Sequence, residues 1–273
     1  MSYTDQLSGV HLKLSRAEQH LQTILQVLEA FSVGQCQIVP EEDEKNVGVL
    51  RVHLPKPPDE LSIIVGDFCH NVRSALDHLV WQLVIANPPN VPDSKNMFPI
   101  CSTPENFEEA AKRRHRLHGV PDAAVTLIES FQPYDTRDKS LRILADLHDT
   151  DKHRTLNLVT AVASDAAVLW HSDDGPLMNM FYGGGELRDG AVFGNIGLPF
   201  SKKLLAVLGS NESLAAFKRR FFNMKVEGDA TLFVAFGKSG ADELEPFRVD
   251  VTLQKIVEFV RDTLLPSFEP FFN

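Results

Sequence analysis

A heptad pattern near the N-terminus constrains the fold more than any other feature of the chain. Apolar residues recur there at alternating intervals of three and four, at Leu7, Val10, Leu14, Ala17, Leu21, Ile24, Leu28 and Phe31. This spacing places them on one narrow stripe of a helix, the stripe that a partner helix covers in lengthwise packing. We therefore predict a long N-terminal helix that packs against another helix, in the same chain or in a second subunit. Gly34 is the expected residue just beyond its C-terminal end.

The next segment changes period and predicts a β-hairpin at about residues 36–54. Two β-like runs, QCQIV and VGVLRVHL, flank the acidic turn PEEDEKN. The segment PKPPDE ends the second run and starts a helix over about 60–86, with Asp59 as its N-cap. Shorter helices are expected near residues 104–116, 120–130 and 138–148.

The texture of the chain changes again after residue 156. Short β-like runs, separated by Gly, Asp and Ser, follow one another as LVTAVA, AAVLWH, MNMFY, GAVFGNI and ATLFVAF. One more helix, at about 250–265, closes the chain. The sequence therefore predicts an α+β protein, with a mainly helical domain over 1–156 and a β-rich region over 157–273 closed by the C-terminal helix.

Composition limits the classes of function. The formal net charge is −10. This charge argues against binding of nucleic acid over the whole protein surface, because such binding needs Lys and Arg to neutralise phosphates. A local basic patch at residues 111–119, AKRRHRLHG, stays open beside the simpler interpretation of a solvated helix end. The segment YGGGE at 182–186 lacks the Lys-Ser/Thr of a phosphate-binding loop and is expected to be a turn.

The chain shows no pattern of membrane insertion or of a disulfide framework. Cys36, Cys69 and Cys101 are far apart and form no C-x-x-C pair, which excludes an obvious zinc module and suits a reducing compartment. The N-terminus lacks the charged and apolar regions of a signal peptide, and no apolar run is long enough to span a bilayer. We expect a cytoplasmic protein with no membrane partner.

The helix at 60–86 carries an unusual polar face within GDFCHNVRSALDHLVWQL, residues 66–83. At 100° per residue its apolar side chains share one broad core face. The opposite arc, without Lys or Glu, carries Asp67, His70, Asn71, Arg73, Ser74, Asp77, His78 and Trp81. Short polar groups and an indole indicate a face that something covers, since long side chains lose more entropy when fixed.

Three interpretations of this arc are open. The first is a buried hydrogen-bond network in a non-enzymatic binding or structural protein. The second is a cofactor-free, metal-independent nuclease site, in which Arg73 braces a scissile phosphate and His78 moves the proton of a ribose 2′-hydroxyl or of the leaving oxygen. The third is a metal site made of His70, Asp77, His148 and His153.

The segment DKHR, at 151–154, is a second dense group of polar residues. If it folds back onto the arc, Lys152, His153 and Arg154 provide positive charge for a phosphate, and we take them with Asn71 and Asp77 as substrate-binding candidates. The simpler interpretation is a helix cap or a turn.

The blocks HNVRSALDHLVWQL, FPI, FQPY and DKHRTLN together resemble a group of bacterial proteins that share them, over about residues 60–160. More distantly, the R-x4-H spacing of Arg73 and His78 on a core helix resembles the HEPN superfamily of ribonucleases. That resemblance implies metal-independent RNA cleavage by a homodimer in which the Arg and His of two subunits face each other. Ser74 departs from it, because HEPN nucleases usually carry Asn, Asp or His directly after the Arg. The long β-rich region is also outside a minimal HEPN bundle.

Overall fold

The long heptad helix is present, and it opens an α+β structure of the predicted kind. The first six residues of the seam are buried, from Leu7 and Val10 to Ile24, whereas Leu28 and Phe31 are partly exposed. The computed structural model describes residues 6–32, 37–162, 167–172, 175–181, 187–207, 211, 213–222, 225–227, 232–237 and 248–272. The predictions for Gly34 and for residues 182–186 fall outside these residues.

Helices dominate the first part of the chain, and strands the second. The first part contains α1 (Ser8–Ser32), β1 (Gln37–Glu42), β2 (Val47–His53), α2 (Asp59–Ile85), α3 (Pro104–Glu108), α4 (Asp122–Ser130) and α5 (Ser140–His153). The second part contains β3 (Leu158–Val162), β4 (Ala167–Ser172), β5 (Gly175–Phe181), β6 (Leu187–Arg188), β7 (Val192–Pro199), α6 (Lys202–Val207), α7 (Leu214–Phe222), β8 (Lys225–Glu227), β9 (Leu232–Phe236), α8 (Val249–Glu258) and α9 (Leu265–Ser267). Single π-helical segments follow α3 and α8, at Glu109–Arg113 and Phe259–Leu264, and a 3-10 turn follows α9 at Glu269–Phe271.

The chain divides into two compact units, and each is discontinuous in sequence. The helical unit comprises residues 1–27, 58–157 and 238–273, and the strand unit comprises residues 28–57 and 158–237. This division shares the boundary near residue 157 with the predicted domains but differs from them in two places. The hairpin belongs with the later strands because β7 pairs with β2, and the C-terminal helix belongs with the helical unit because α8 packs on α5.

Two helix boundaries differ from the predicted ones. Asp59 is the first residue of α2 and not its N-cap; the cap is Pro58, without a side-chain hydrogen bond. Asp59 and Glu60 in the first turn still suit the positive end of the helix dipole. α5 continues to His153, because no Gly or Pro interrupts it, so the DKHR segment lies on its last turn. None of the helices among the described residues has both the length and the apolar content to cross a membrane.

In the helical unit, α1 and α5 both run antiparallel to α2. Gly9 near the start of α1 lies against His78, and His20 further along α1 interacts with Asp67, so the residue numbers run in opposite directions. The same holds for α5, since Asp151 lies against Gly66 and His148 lies beside His70. The core face of α2, centred on residues such as Phe68, Val72 and Leu79, is fully buried. Because α1 contacts His78 and α5 contacts Gly66, the polar face of α2 lies between these two helices.

Among its described residues, the strand unit contains three small antiparallel sheets and the helices α6 and α7. The predicted hairpin is present, with Gln37 opposite His53 and Glu42 opposite Gly48. The three sheets have the strand orders β1-β2-β7, β6-β3-β9 and β5-β4-β8, so that each predicted β-like run supplies one strand. Phe200, Phe217 and Phe221 form a buried aromatic cluster. The cluster packs on Gly48, where a Cβ would lie 2.7 Å from the Phe200 ring.

Candidate functional site on the polar face of α2

The polar face of α2 is open rather than sealed. Asp67, His70 and His78 are exposed, and Trp81 keeps 42% of its surface accessible. Asn71 is half-buried, and its amide donates a hydrogen bond of 2.8 Å to the Asp67 carbonyl one turn earlier. The predicted network of mutually satisfied buried groups therefore does not extend across the whole face.

Arg73 and Asp77 form the one part of the face that matches the network interpretation. Arg73 Nη2 donates to the Phe98 carbonyl at 3.0 Å, and the Phe98 N–H donates to Asp77 Oδ1 at 2.9 Å. The guanidinium and carboxylate lie 3.6 Å apart, and the Arg73 side chain is only 13% exposed. We call this arrangement the Phe98 clamp, because two side chains one helical turn apart hold both backbone groups of one residue.

Burial of the Arg73 and Asp77 charges in the clamp costs free energy, and their opposite signs offset part of that cost. Burial lowers the pKa of Arg73, and the neighbouring Asp77 carboxylate opposes that shift. Burial likewise raises the pKa of Asp77, against the pull of Arg73 and of the Phe98 N–H. Arg73 Nη1 is buried without a hydrogen-bond partner among the described atoms. Arg73 thus has a structural task, and its guanidinium is largely removed from solvent.

His78 does not share a contact with Arg73 within the chain. Five residues on an α-helix correspond to about 140° around the axis, so the two side chains leave α2 on opposite edges of its polar face. The His78 ring lies over Gly9 of α1, where an added Cβ would be 2.8 Å from Nδ1. The expected Arg73–His78 pair is therefore not assembled inside one chain, and the clamp and the approach of α1 are the physical reasons.

The structure brings together a different pair of imidazoles, His70 on α2 and His148 on α5. Their ring centroids are 6.2 Å apart and their planes are inclined by 31°. Burial lowers the pKa of His148 to about 4, with further lowering by the positive charges of Lys152 and Arg73 and a partial opposition from Asp149. His148 is therefore an uncharged imidazole at neutral pH.

The expected contact between the DKHR segment and α2 is present, through its first residue. The Asp151 carboxylate lies against Gly66, where an added Cβ would be 2.6 Å from Cγ. Burial raises the pKa of Asp151, as does the nearby Asp67 carboxylate, while His70 opposes the shift. α5 approaches α2 this closely because Gly66 has no side chain.

The three cationic residues of the DKHR segment lie exposed at the C-terminal end of α5. Lys152 lies 3.7 Å from Asp149 and near enough to His148 to lower the pKa of that imidazole. His153 is the last residue of α5 and Arg154 is its C-cap. Among the five substrate-binding candidates, Lys152 is thus the cation placed beside the histidine pair, whereas Asp77 holds Phe98.

The metal alternative lacks its set of ligands. Across the described ranges, no group of three or more His, Cys, Asp or Glu side chains is arranged to hold a metal ion. His70 and His148 are neighbours, but Asp77 is bonded to Phe98, and His153 lies exposed at the end of α5. The i, i+7 spacing of His70 and Asp77 therefore does not produce a chelating pair.

Sequence reasoning missed the residues that fix the FPI segment, 98–100. Gln132, from the FQPY block, is fully buried; its amide donates to the Pro99 carbonyl and accepts from the Cys101 N–H, at 3.0 and 2.8 Å. Together with the Phe98 clamp, Gln132 fixes the backbone of residues 98–101. Comparisons with protein-family models, with curated proteins and with solved structures found no match.

Proposed function

We propose that the protein is a metal-independent ribonuclease and that His70 and His148 form its acid–base pair. The observation that carries the proposal is the juxtaposition of two imidazoles, 6.2 Å apart, at an open helix face. Cleavage of RNA through its own 2′-hydroxyl needs a proton acceptor on one side of the phosphate and a proton donor on the other. Two neighbouring imidazoles meet that need without a metal.

The surroundings of His148 assign it the role of proton acceptor, and the role of proton donor is then left to His70. His148, held uncharged by burial and by nearby cations, accepts the proton of the 2′-hydroxyl as its oxygen attacks phosphorus. The bond from phosphorus to the 5′-oxygen breaks, and His70 in its imidazolium form donates a proton to that leaving oxygen. The products are a 2′,3′-cyclic phosphate and a 5′-hydroxyl. Lys152 supplies positive charge beside His148 for the phosphate.

The R-x4-H motif enters this proposal in altered roles. Arg73 is a positioning residue, because its guanidinium holds Phe98 instead of a phosphate. Its positive charge still acts on His148 and helps to keep that ring neutral. His78 is not paired with Arg73 within one chain, so a catalytic role for it requires a second subunit.

A second copy of the chain fits the exposed strip of α2 that runs between the flanking helices. Ile63, Trp81 and Ile85 on this strip are 64%, 42% and 49% exposed. Ile63 and Ile85 lie at equal distances in sequence from Ser74, as do His70 and His78. A symmetric antiparallel pair of α2 helices centred on Ser74 would bury the isoleucines against each other.

The same pairing would place His78 of the second copy beside His70. This arrangement agrees with what the HEPN resemblance implies, namely a dimer in which helices of two subunits face each other. His70 lies toward the α5 edge of the strip, beside His148.

Cleavage of single-stranded RNA in a chelator tests the proposal. His70→Gln and His148→Gln should each reduce the rate by about 10²–10⁴, with unchanged melting above neutral pH. His11→Gln, which changes an exposed histidine of α1, is the matched control and should leave the rate unchanged. Cleavage that persists in both variants would reject the histidine pair as the catalytic centre.

A non-enzymatic assembly protein is the second candidate, and the Phe98 clamp together with the apolar ends of the strip favours it. In that case the second copy covers the face, and the polar groups serve only to fix its register. The purified protein would then dimerise but leave RNA intact, and His70→Gln would affect neither activity nor, by more than a few tenths of a kcal/mol, stability.

A further inference from the structure

Residues 113–118, which we call the basic loop, carry a concentration of positive charge on a chain with a net charge of −10. Arg113, Arg114, His115 and His118 are exposed, and Arg116 is half-buried. Arg114 is neutralised by Glu109 at 2.7 Å. Within the described part of the chain, Arg113 and Arg116 have no ion-pair partner, so their charges remain available to an anion.

The backbone of the basic loop and of the residue after it is fixed by two amide side chains, those of the buried Asn96 and the half-buried Asn87. Asn96 Nδ2 donates to the carbonyls of Arg116 and His118, at 3.3 and 3.0 Å. The Met97 N–H also donates to the Arg116 carbonyl, at 3.2 Å. Asn87 Nδ2 donates to the carbonyl of Gly119, just after the loop, at 3.1 Å. These bonds hold the carbonyls against the protein and leave the cationic side chains at the surface.

His115 adopts a left-handed backbone conformation, with φ of 56°. A histidine in this region costs free energy relative to glycine, and the surrounding hydrogen bonds must hold it there. The His115 and His118 rings meet edge to face with centroids 5.9 Å apart. The loop is thus a preorganised group of two arginines and two imidazoles, which would lose little entropy on binding a ligand.

The basic loop is connected to the polar face of α2. Met97, which binds the loop, precedes Phe98, the residue held by the clamp. The charge of Arg116 acts on both Arg73 and Asp77, and the charge of Arg73 acts on His148. Arg73 therefore interacts electrostatically with Arg116 of the basic loop and with His148 of the histidine pair.

We propose that the basic loop binds the sugar–phosphate backbone of single-stranded RNA, at phosphates that flank the one cut between His70 and His148. This inference rests on the proposed ribonuclease function and names its substrate-docking surface. The arginine fork matches phosphate geometry in paired hydrogen bonds, and such contacts position a strand without reading its sequence. Local charge achieves this although the whole molecule is acidic, because salt screens charges more than about 10 Å away.

Binding and cleavage are separated by a probe that cannot react. A fluorescein-labelled single-stranded 2′-O-methyl oligonucleotide keeps the phosphates but lacks the 2′-hydroxyl nucleophile, and fluorescence anisotropy reports its binding. The double variant Arg113→Gln/Arg116→Gln should weaken binding about tenfold or more and reduce the slope of log K against log salt by about 0.7 per lost contact. The control Lys139→Gln/Lys255→Gln removes the same charge from the start of α5 and from α8, outside the basic segment 111–119, and should weaken binding less than about threefold.

Arg113→Gln alone guards against a folding defect, because Arg113 is fully at the surface, and it should retain the wild-type melting temperature. Equal weakening by the two double variants, or no binding by the wild type at low salt, would overturn the inference. If the wild type binds the probe through the loop but leaves RNA uncut, the ribonuclease proposal fails and the docking surface stands. If RNA is cut but the loop variants bind normally, the docking surface fails and the ribonuclease proposal stands.

Discussion

The guanidinium of Arg73 is the most demanding group on the polar face, because its charge is largely removed from water. Among the described residues, the Phe98 carbonyl and the Asp77 carboxylate offset part of that cost, and the charge of Asp149 adds to them. A buried charge with too few partners costs more than the hydrogen bonds of an ordinary polar group. At the residue scale, then, the Phe98 clamp is a feature of stability, and the histidine pair carries the chemistry that we propose.

Removing the clamp should cost stability. Arg73→Met leaves the Phe98 carbonyl without its donor and the half-buried Asp77 without its cation, so we expect a loss of about 1–3 kcal/mol in the free energy of unfolding. Urea unfolding measures it. Asn71→Ala, which removes a bond within the exposed turn, is the control, with an expected change below about 0.5 kcal/mol. An unchanged urea midpoint for Arg73→Met, combined with lost cleavage, would instead assign Arg73 to the phosphate.

The low basicity of His148 predicts a pH dependence of stability. Its pKa is about 4 in the folded protein, below the ordinary value near 6.5, so the unfolded chain binds the extra proton first as the pH falls. Stability is therefore complete above pH 6.5 and declines toward pH 4. Because the ring is partly exposed, we expect a contribution of about 1 kcal/mol, well short of the full linkage value.

Thermal melting across this pH range provides the measurement, with His148→Gln as the comparison. The variant should show a flatter profile than the wild type between pH 6.5 and 4, since it has lost the titrating group. Parallel profiles for the two proteins would show that His148 is not held uncharged by its surroundings.

At the scale of elements, the helical unit depends on two glycines that let helices approach closely. Gly9 of α1 makes room for His78, and Gly66 of α2 makes room for Asp151. Both contacts flank the polar face and set the position of α1 and α5 beside it. The histidine pair exists only because α5 lies close to α2 at this point.

Gly66→Ala tests how closely α5 approaches α2, through the sign of its effect on the free energy of unfolding. In a helix interior, Ala is ordinarily favoured over Gly by about 1 kcal/mol. Here the new Cβ would overlap the Asp151 carboxyl, so we expect destabilisation of about 1–3 kcal/mol. In an Asp151→Ala background the overlap is gone and Gly66→Ala should become stabilising. A stabilising effect in both backgrounds would place α5 further from α2.

The sequence predicted the helices and strands better than it predicted which side chains contact each other. The heptad seam of α1 and the broad core face of α2 are local patterns, and both are confirmed by burial. The contact of His148 with His70 depends on the length of α5 and its direction relative to α2, which no local pattern specifies. The R-x4-H spacing shows the same limit. Arg73 and His78 lie on one helix, as the spacing predicts, but their side chains contact different neighbours.

At the scale of the whole molecule, chain order and spatial order differ. The change in the sequence pattern predicts a domain boundary near residue 157. Strand pairing, however, assigns the hairpin to the strand unit, and helix packing assigns the C-terminal helix to the helical unit. Such long-range returns of the chain are not encoded in local periodicity. The exposed strip of α2 is likewise visible only after α1 and α5 have been placed on either side of it.

The strip predicts self-association. Sedimentation of the wild type should show a dimer, and Ser74→Arg, at the proposed symmetry centre, should weaken it by about tenfold or more, because two guanidinium groups would meet there. Val207→Arg is the matched control, since Val207 is 66% exposed on α6 and belongs to the strand unit. A monomeric wild type, or equal effects of the two variants, would remove the second copy from the site.

Metal-independent cleavage of RNA at the polar face of α2 can be measured on a single designed substrate. This substrate is a DNA oligonucleotide with a single ribonucleotide, incubated with the wild-type protein in a chelator. We expect one cut, directly 3′ to the ribonucleotide, that leaves a 2′,3′-cyclic phosphate, because only that position carries a 2′-hydroxyl. An intact oligonucleotide, a cut elsewhere, or a cut that requires added metal would contradict metal-independent cleavage through the 2′-hydroxyl.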